Sequence, residues 1–194
     1  MSEYELYTRI LAPWLKPENQ DLLIEKTERK DHIARVITDN KKIFHTLYRY
    51  DQKEQKGKFL PFFNNTHDGE YGEAEIPTPE DLLRFCDYIL LAERNSVLYV
   101  LLLELKSGKN GDAYKQLDAT EVFMEFIKNT AKRISEANGY RDFDTQNIKI
   151  RKIVLKPAPQ SKPSTNKGKD PQVDLNNSPI YYSSNILPLY KFCR

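Results

Sequence analysis

Two cysteines in 194 residues, Cys86 and Cys193, are too few for a disulfide framework and too far apart for a paired-cysteine metal knuckle. Long apolar runs are missing as well. The longest, Val97 to Leu103, has seven residues, far short of the ~18 that a membrane-spanning helix needs. The chain opens on the acidic Met1-Ser2-Glu3-Tyr4-Glu5 rather than on a basic and then apolar leader, so no signal peptide is expected. The three histidines, His32, His45 and His67, share no metal-ligand spacing, and His32 is expected to face solvent on a charged helix. Asp68-Gly69-Glu70 lacks the rest of a calcium loop, and Ser107-Gly108-Lys109-Asn110-Gly111 lacks the phosphate-loop spacing. Net charge is nearly absent, with 30 Lys+Arg against 28 Asp+Glu. These absences leave a single cytoplasmic domain in a reducing compartment, with no membrane partner, as the expectation.

What is present is aromatic and charged. Twenty-two aromatics (Tyr 12, Phe 9, Trp 1) can fill a core, and at this length roughly 70% of the chain's surface can be buried without staples. The balanced total hides a segregation. From Pro61 to Leu83 there are six acids and no Lys or Arg, whereas Lys128 to Lys169 holds eleven bases against three acids. A polyanion responds to the local field within a Debye length of ~8 Å, so a basic C-terminal third is compatible with nucleic-acid binding as well as with a solvated surface.

Ser2 and Glu5 have capping-box spacing ahead of Tyr4, Tyr7, Ile10 and Leu11, which predicts a first helix. Asn19 is placed to cap a second helix reaching about Ile37. Ile43 to Tyr50 reads as a strand, Asn64 to Gly72 as an exposed loop, and Thr78-Pro79-Glu80-Asp81 as a helix start. Phe85 to Ala92 and Ser96 to Lys106 read as the two strands of a hairpin, separated by the turn Glu93-Arg94-Asn95. A long helix then runs from a cap at Asp112 to a stop at Gly139, with Ala113, Leu117, Met124, Ile127, Ala131 and Ile134 on its apolar stripe. Ile148 to Leu155 is another strand. Strand, hairpin, long helix and strand imply an α/β fold with a mixed sheet and a helical crossover. Residues 1–194 form one domain in this reading, with a core over about 19–155. A Lys/Pro-rich loop or arm covers 156–172, and a C-terminal segment, 173–194, packs back.

The chemistry concentrates at the end of the most apolar strand, where Leu103 is followed by Glu104-Leu105-Lys106. Alternation puts Glu104 and Lys106 on one face, and charges there are costly unless paired or bound. A two-residue loop at Arg94-Asn95 would pair residue 87 with 102. Asp87 would then lie diagonal to Glu104, ~7–8 Å away between Cα atoms; an odd loop would put it on the other face. Two converging carboxylates beside a lysine suit a hard divalent cation and phosphodiester hydrolysis. The competing expectation is a surface strand end with a simple Glu104–Lys106 ion pair.

Asp87 in Phe85-Cys86-Asp87-Tyr88-Ile89-Leu90, followed seventeen residues later by Glu104-Leu105-Lys106, resembles the PD-(D/E)XK nuclease superfamily. The order helix, hairpin with the acids, helix, strand is similar too. The resemblance implies a restriction-endonuclease-like mixed central sheet flanked by helices. It implies magnesium, with manganese as an alternative, on Asp87, Glu104 and the Leu105 carbonyl, and Lys106 as a catalytic residue. Cys86 replaces the proline of the motif. Some exonuclease branches carry Gln-x-x-x-Tyr in the following helix; here Gln116 is followed by Thr120, and Gln116 is expected to lean toward the site as a further catalytic residue. A first-helix glutamate often joins the family site, for which Glu25 is the candidate.

Lys109, Lys115, Lys149, Arg151 and Lys152 are the candidates for phosphate-backbone contacts. The aromatics Phe59, Phe62, Phe63, Tyr181 and Tyr182 suit either base stacking or core packing. The resemblance makes DNA the expected substrate, in a bacterial defence, repair or mobile-element setting. A homodimer or a partner protein is compatible with it. The competing expectation is a catalytically silent nuclease-fold module that binds nucleic acid or protein.

Overall fold

The structure is a computed structural model and describes residues 2–25, 32–38, 43–50, 85–106, 113–139, 147–158 and 179–194. The capping box at the start forms as its spacing predicts: the Glu5 N–H donates to Ser2 Oγ at 3.2 Å and the Ser2 N–H donates to Glu5 Oε2 at 3.1 Å. It opens helix α1 (Glu3–Ile10), which buries Leu6 and Tyr7 and is followed by a short 3-10 turn at Pro13–Leu15.

Among the described residues of 19–37 no helix forms, against the expectation. They hold strands β1 (Leu22–Glu25) and β2 (His32–Ile37), paired antiparallel with Glu25 opposite His32. The reason lies in β2, where His32, Ala34 and Val36 are buried while Ile33 and Arg35 are exposed. That is a period of two, and a small alanine and a histidine on the inner face blunt its hydrophobic contrast. His32 is consequently buried, at 4% exposure, and not a solvent-facing helix residue.

Strand β3 (Phe44–Arg49) pairs with β4 (Tyr88–Arg94), and β4 pairs with β5 (Val97–Leu105), each antiparallel. The hairpin loop is Asn95-Ser96, both residues at positive φ (51° and 59°). That geometry is the mirror-image turn whose twist suits a two-residue hairpin. The loop is even, as the same-face reading of Asp87 requires, but one residue later than Arg94-Asn95. The register moves with it: Tyr88 faces Leu103 as the last pair of the ladder, and Asp87 precedes it beside Glu104, whose Oε2 accepts the Asp87 N–H.

Helix α2 (Ala113–Ala137) buries Ala113, Leu117, Met124, Ile127 and Ala131 and crosses over to β6 (Ile148–Lys156), parallel to β5. The chain leaves α2 through Gly139 at φ +71°, a left-handed conformation in which a side chain is strained. Strand β7 (Ile180–Ser183) completes a five-stranded sheet in the order β3-β4-β5-β6-β7. β8 (Ile186–Pro188) joins β2 in a three-stranded sheet, β1-β2-β8, and a short helix α3 (Leu189–Phe192) ends the chain. The C-terminal segment does pack back: Leu187, Leu189, Phe192 and Cys193 are fully buried.

The fold is thus mixed α/β with two mixed sheets. The five-stranded sheet is covered on both faces, which is why β5 reads as an unbroken apolar run. Ile89, Val100, Leu102 and Val154 face α1 and α2, whereas Leu90, Leu101, Leu103 and Ile153 face the three-stranded sheet. No helix among the described residues is long and apolar enough to cross a membrane. Lys109, Asp112, His67, Phe59, Phe62, Phe63, the acidic stretch and most of the Lys/Pro-rich arm lie outside the described residues.

Candidate active site

Alternation along β4 and β5 sends Asp87, Glu104 and Lys106 to the face that α2 covers, at the sheet end where β5 runs out. Each acid holds the other's strand. The Asp87 N–H donates to Glu104 Oε2 at 3.3 Å, and Asp87 Oδ2 accepts the Leu105 N–H at 2.7 Å. One oxygen of each carboxylate is thereby fixed by backbone. Glu104 Oε1 lies 2.5 Å from Lys106 Nζ, and that ammonium also donates to Gln116 Oε1 at 3.2 Å from the first turn of α2. The helix therefore does bring Gln116 over the site, on Lys106.

Burial and charge pull against each other here. The Glu104 side chain is 1% exposed, and that burial pushes its carboxyl above the usual range; the Lys106 ammonium and the Asp87 N–H pull it back, and the nearby Glu25 carboxylate pushes it up again. For Lys106, burial works against the charged form, but the bond to Glu104 and the fields of Glu104, Asp87 and Glu25 outweigh it and raise the pKa. Lys106 is thus held as a cation, suited to donating hydrogen bonds and not to accepting a proton.

Glu25 reaches this cluster from the end of strand β1, not from a helix. Tyr88, the residue after Asp87, ties the two elements together. The Ile24 N–H donates to the Tyr88 phenol at 2.9 Å, and the phenol O–H donates to the Ile24 carbonyl at 3.0 Å. His32 Nδ1 lies 3.8 Å from Glu25 Oε2, and desolvation lowers its pKa, so the ring is neutral at pH 7.

The oxygens suit a hard cation. The carboxylate oxygens of Asp87 and Glu104 and the Leu105 carbonyl are hard donors, and magnesium favours a few carboxylates with several waters over a closed protein cage. Among the described residues no group of three or more His, Cys, Asp or Glu side chains is placed to hold a metal ion. The residues that could hold one are Asp87, Glu104 and the Leu105 carbonyl, with water completing the shell.

The basic candidates do not assemble around it. Lys115 is exposed on the first turn of α2, at the same end as the acids. Lys149 and Arg151 pair with Tyr99 and Leu101 on the face away from α2, and Lys149 lies five residues, ~16 Å, up the strand from the level of Glu104. Lys149 sits over the Tyr99 ring at 5.7 Å. Lys152, expected at a phosphate, is instead buried against α2, with Nζ 2.9 Å from both Asp118 Oδ1 and Glu121 Oε2. A lysine on the covered face of β6 needs those partners to be there at all. Tyr182 packs edge-on against Phe192 at 5.3 Å, and Tyr181 is exposed under Lys156.

The sequence reading passed over two residues that shape the site, Tyr88 and Thr120. Thr120 is fully buried; its Oγ1 accepts the Cys86 N–H at 2.8 Å, and its O–H donates to the Gln116 carbonyl at 2.7 Å. The usable signal was a polar residue standing within the apolar stripe of α2.

No protein-family model, curated protein or solved structure matches the chain.

Proposed function

We propose that this chain is a magnesium-dependent nuclease with a restriction-endonuclease-like core, acting on DNA in the cytoplasm. The observation that carries the reading is one array. Asp87 and Glu104 lie side by side at the end of a buried hairpin, each bonded to the other's strand, Lys106 follows Glu104 on the same face, and Gln116 and Glu25 close in from α2 and β1.

Asp87, Glu104 and the Leu105 carbonyl would hold the cation, which would supply water activation and charge stabilisation at the phosphorus. The backbone N–H groups of Asp87 and Leu105 fix the acids before substrate arrives, so little reorganisation is needed in the reaction. Lys106, kept protonated by its carboxylate neighbours, donates a hydrogen bond to the attacking water or to a phosphate oxygen. Gln116 holds that ammonium from the opposite side and limits its rotamers. Glu25 adds negative charge that favours both the cation and the protonated lysine. The hydrophobic walls of β4, β5 and α2 exclude bulk water and strengthen each of these interactions.

The test is magnesium calorimetry on the wild type and on Asp87→Asn, followed in the same tubes by plasmid and single-stranded DNA cleavage. Asparagine still accepts the Leu105 N–H, so the hairpin end is preserved. Binding and cleavage that are both lost in the variant bear the proposal out. Absence of magnesium binding by the wild type refutes it and leaves a nuclease-fold binding module.

A further inference from the structure

Asp87 stands on the last residues before β4, where the sheet no longer holds the chain on both sides. What fixes the backbone there is a short set of bonds. The Tyr50 N–H donates to the Asp87 carbonyl at 2.9 Å. On the α2 side, the Cys86 N–H donates to Thr120 Oγ1 at 2.8 Å. Thr120 has no exposed surface and lies one helical turn beyond Gln116, whose carbonyl accepts its O–H at 2.7 Å. The hydroxyl is therefore orientated by the helix itself, with its lone pairs aimed at the residue before the acid. One turn of α2 thus touches both halves of the site: Gln116 on Lys106, and Thr120 on the peptide that carries Asp87.

A buried N–H in this position needs an acceptor. Valine would match threonine in shape and leave the Cys86 N–H with none. That peptide would then shift or twist toward another acceptor, and the carboxylate of Asp87 would follow it. Partners that orient a metal ligand commonly change cation affinity by 10–100-fold when removed.

We propose that Thr120 is a positioning residue that sets the Asp87 carboxylate for cation binding; this rests on the magnesium site proposed above. The experiment is magnesium titration by calorimetry on the full chain, with Thr120→Val, Thr120→Ser and Met124→Val beside the wild type. Met124 is buried on the same stripe of α2 and controls for general loosening of the helix. Thr120→Val is expected to weaken magnesium about tenfold with a melting midpoint lowered by roughly 5 °C. Thr120→Ser is expected to recover affinity to within about threefold, because the acceptor is restored. Should Thr120→Val not fold, Thr120→Cys, with its weak sulfur acceptor, takes its place with the same expected loss.

Magnesium affinity in Thr120→Val equal to the wild type, or an equal loss in Met124→Val, overturns the role while leaving the magnesium site standing. A wild type that binds no magnesium overturns the site, and this role with it.

Discussion

Lys152 offers the sharpest contrast between a phosphate contact and an internal brace. Its side chain is 6% exposed, and its two carboxylate partners differ: Asp118 is 56% exposed and Glu121 22%. Removing Asp118 takes away a well-hydrated partner and leaves Glu121 in place, so Asp118→Ala is expected to destabilise by about 1 kcal/mol. Glu121→Ala removes the better-shielded bond, for about 2 kcal/mol. Removing both leaves a buried ammonium with neither carboxylate, and about 3–5 kcal/mol is expected. Adding Lys152→Met to that double variant should recover most of the loss, since an apolar side chain of similar length fills the space without a charge.

Burial opposes the charged lysine, but the bonds to Asp118 and Glu121 outweigh it and raise its pKa. The stabilisation is therefore complete below the ordinary lysine value and is lost only as pH rises through the higher folded one. Urea unfolding at pH 7 reads the whole effect. A double variant within 0.5 kcal/mol of the wild type, roughly the scatter expected for surface changes, would refute the brace. So would a Lys152→Met variant that folds normally but loses DNA affinity, with a salt slope smaller by about one.

Two further outcomes follow from the geometry. Ser96 holds φ +59°, so Ser96→Gly should stabilise by about 0.5–1 kcal/mol in urea and Ser96→Val should destabilise by a similar amount or more. Burial raises the Glu104 carboxyl, so in EDTA the folded state binds that proton more tightly than the unfolded chain. Stability is then highest below the ordinary carboxylate value and falls as pH rises toward the raised one. Glu104→Gln should flatten that fall in a urea series run across the window, and an unchanged slope would contradict it.

The hairpin, the long helix and the β6 strand were legible because each carries a strong and unmixed signal. β5 is an apolar run, α2 holds its apolar stripe, and Gly139 marks its stop. The shared face of Glu104 and Lys106 followed from alternation, and the lean of Gln116 from helical spacing. The place of Asp87 did not, because it hangs on the loop: an odd turn would send it to the other face, and Asn95-Ser96 in place of Arg94-Asn95 moves the register by a residue on each strand. β1 and β2 were missed because Leu22, Leu23, Ile33, Val36 and Ile37 fit a helix as readily as two strands with small or polar inner residues. The pairing of Lys152 was invisible because its partners lie 34 and 31 residues earlier on a different element. Local spacing holds no trace of that contact.

The Tyr88 phenol does more than link β1 to the hairpin. Among the described residues β1 is the outer strand of its sheet, and such a strand normally leaves its outward N–H and C=O groups open to a neighbour. At Ile24 both are occupied by the one phenol oxygen. A phenylalanine there would keep the ring's packing but leave the Ile24 N–H and C=O without that partner. The edge of β1 is thus closed from inside the molecule, by a core side chain in place of a further strand.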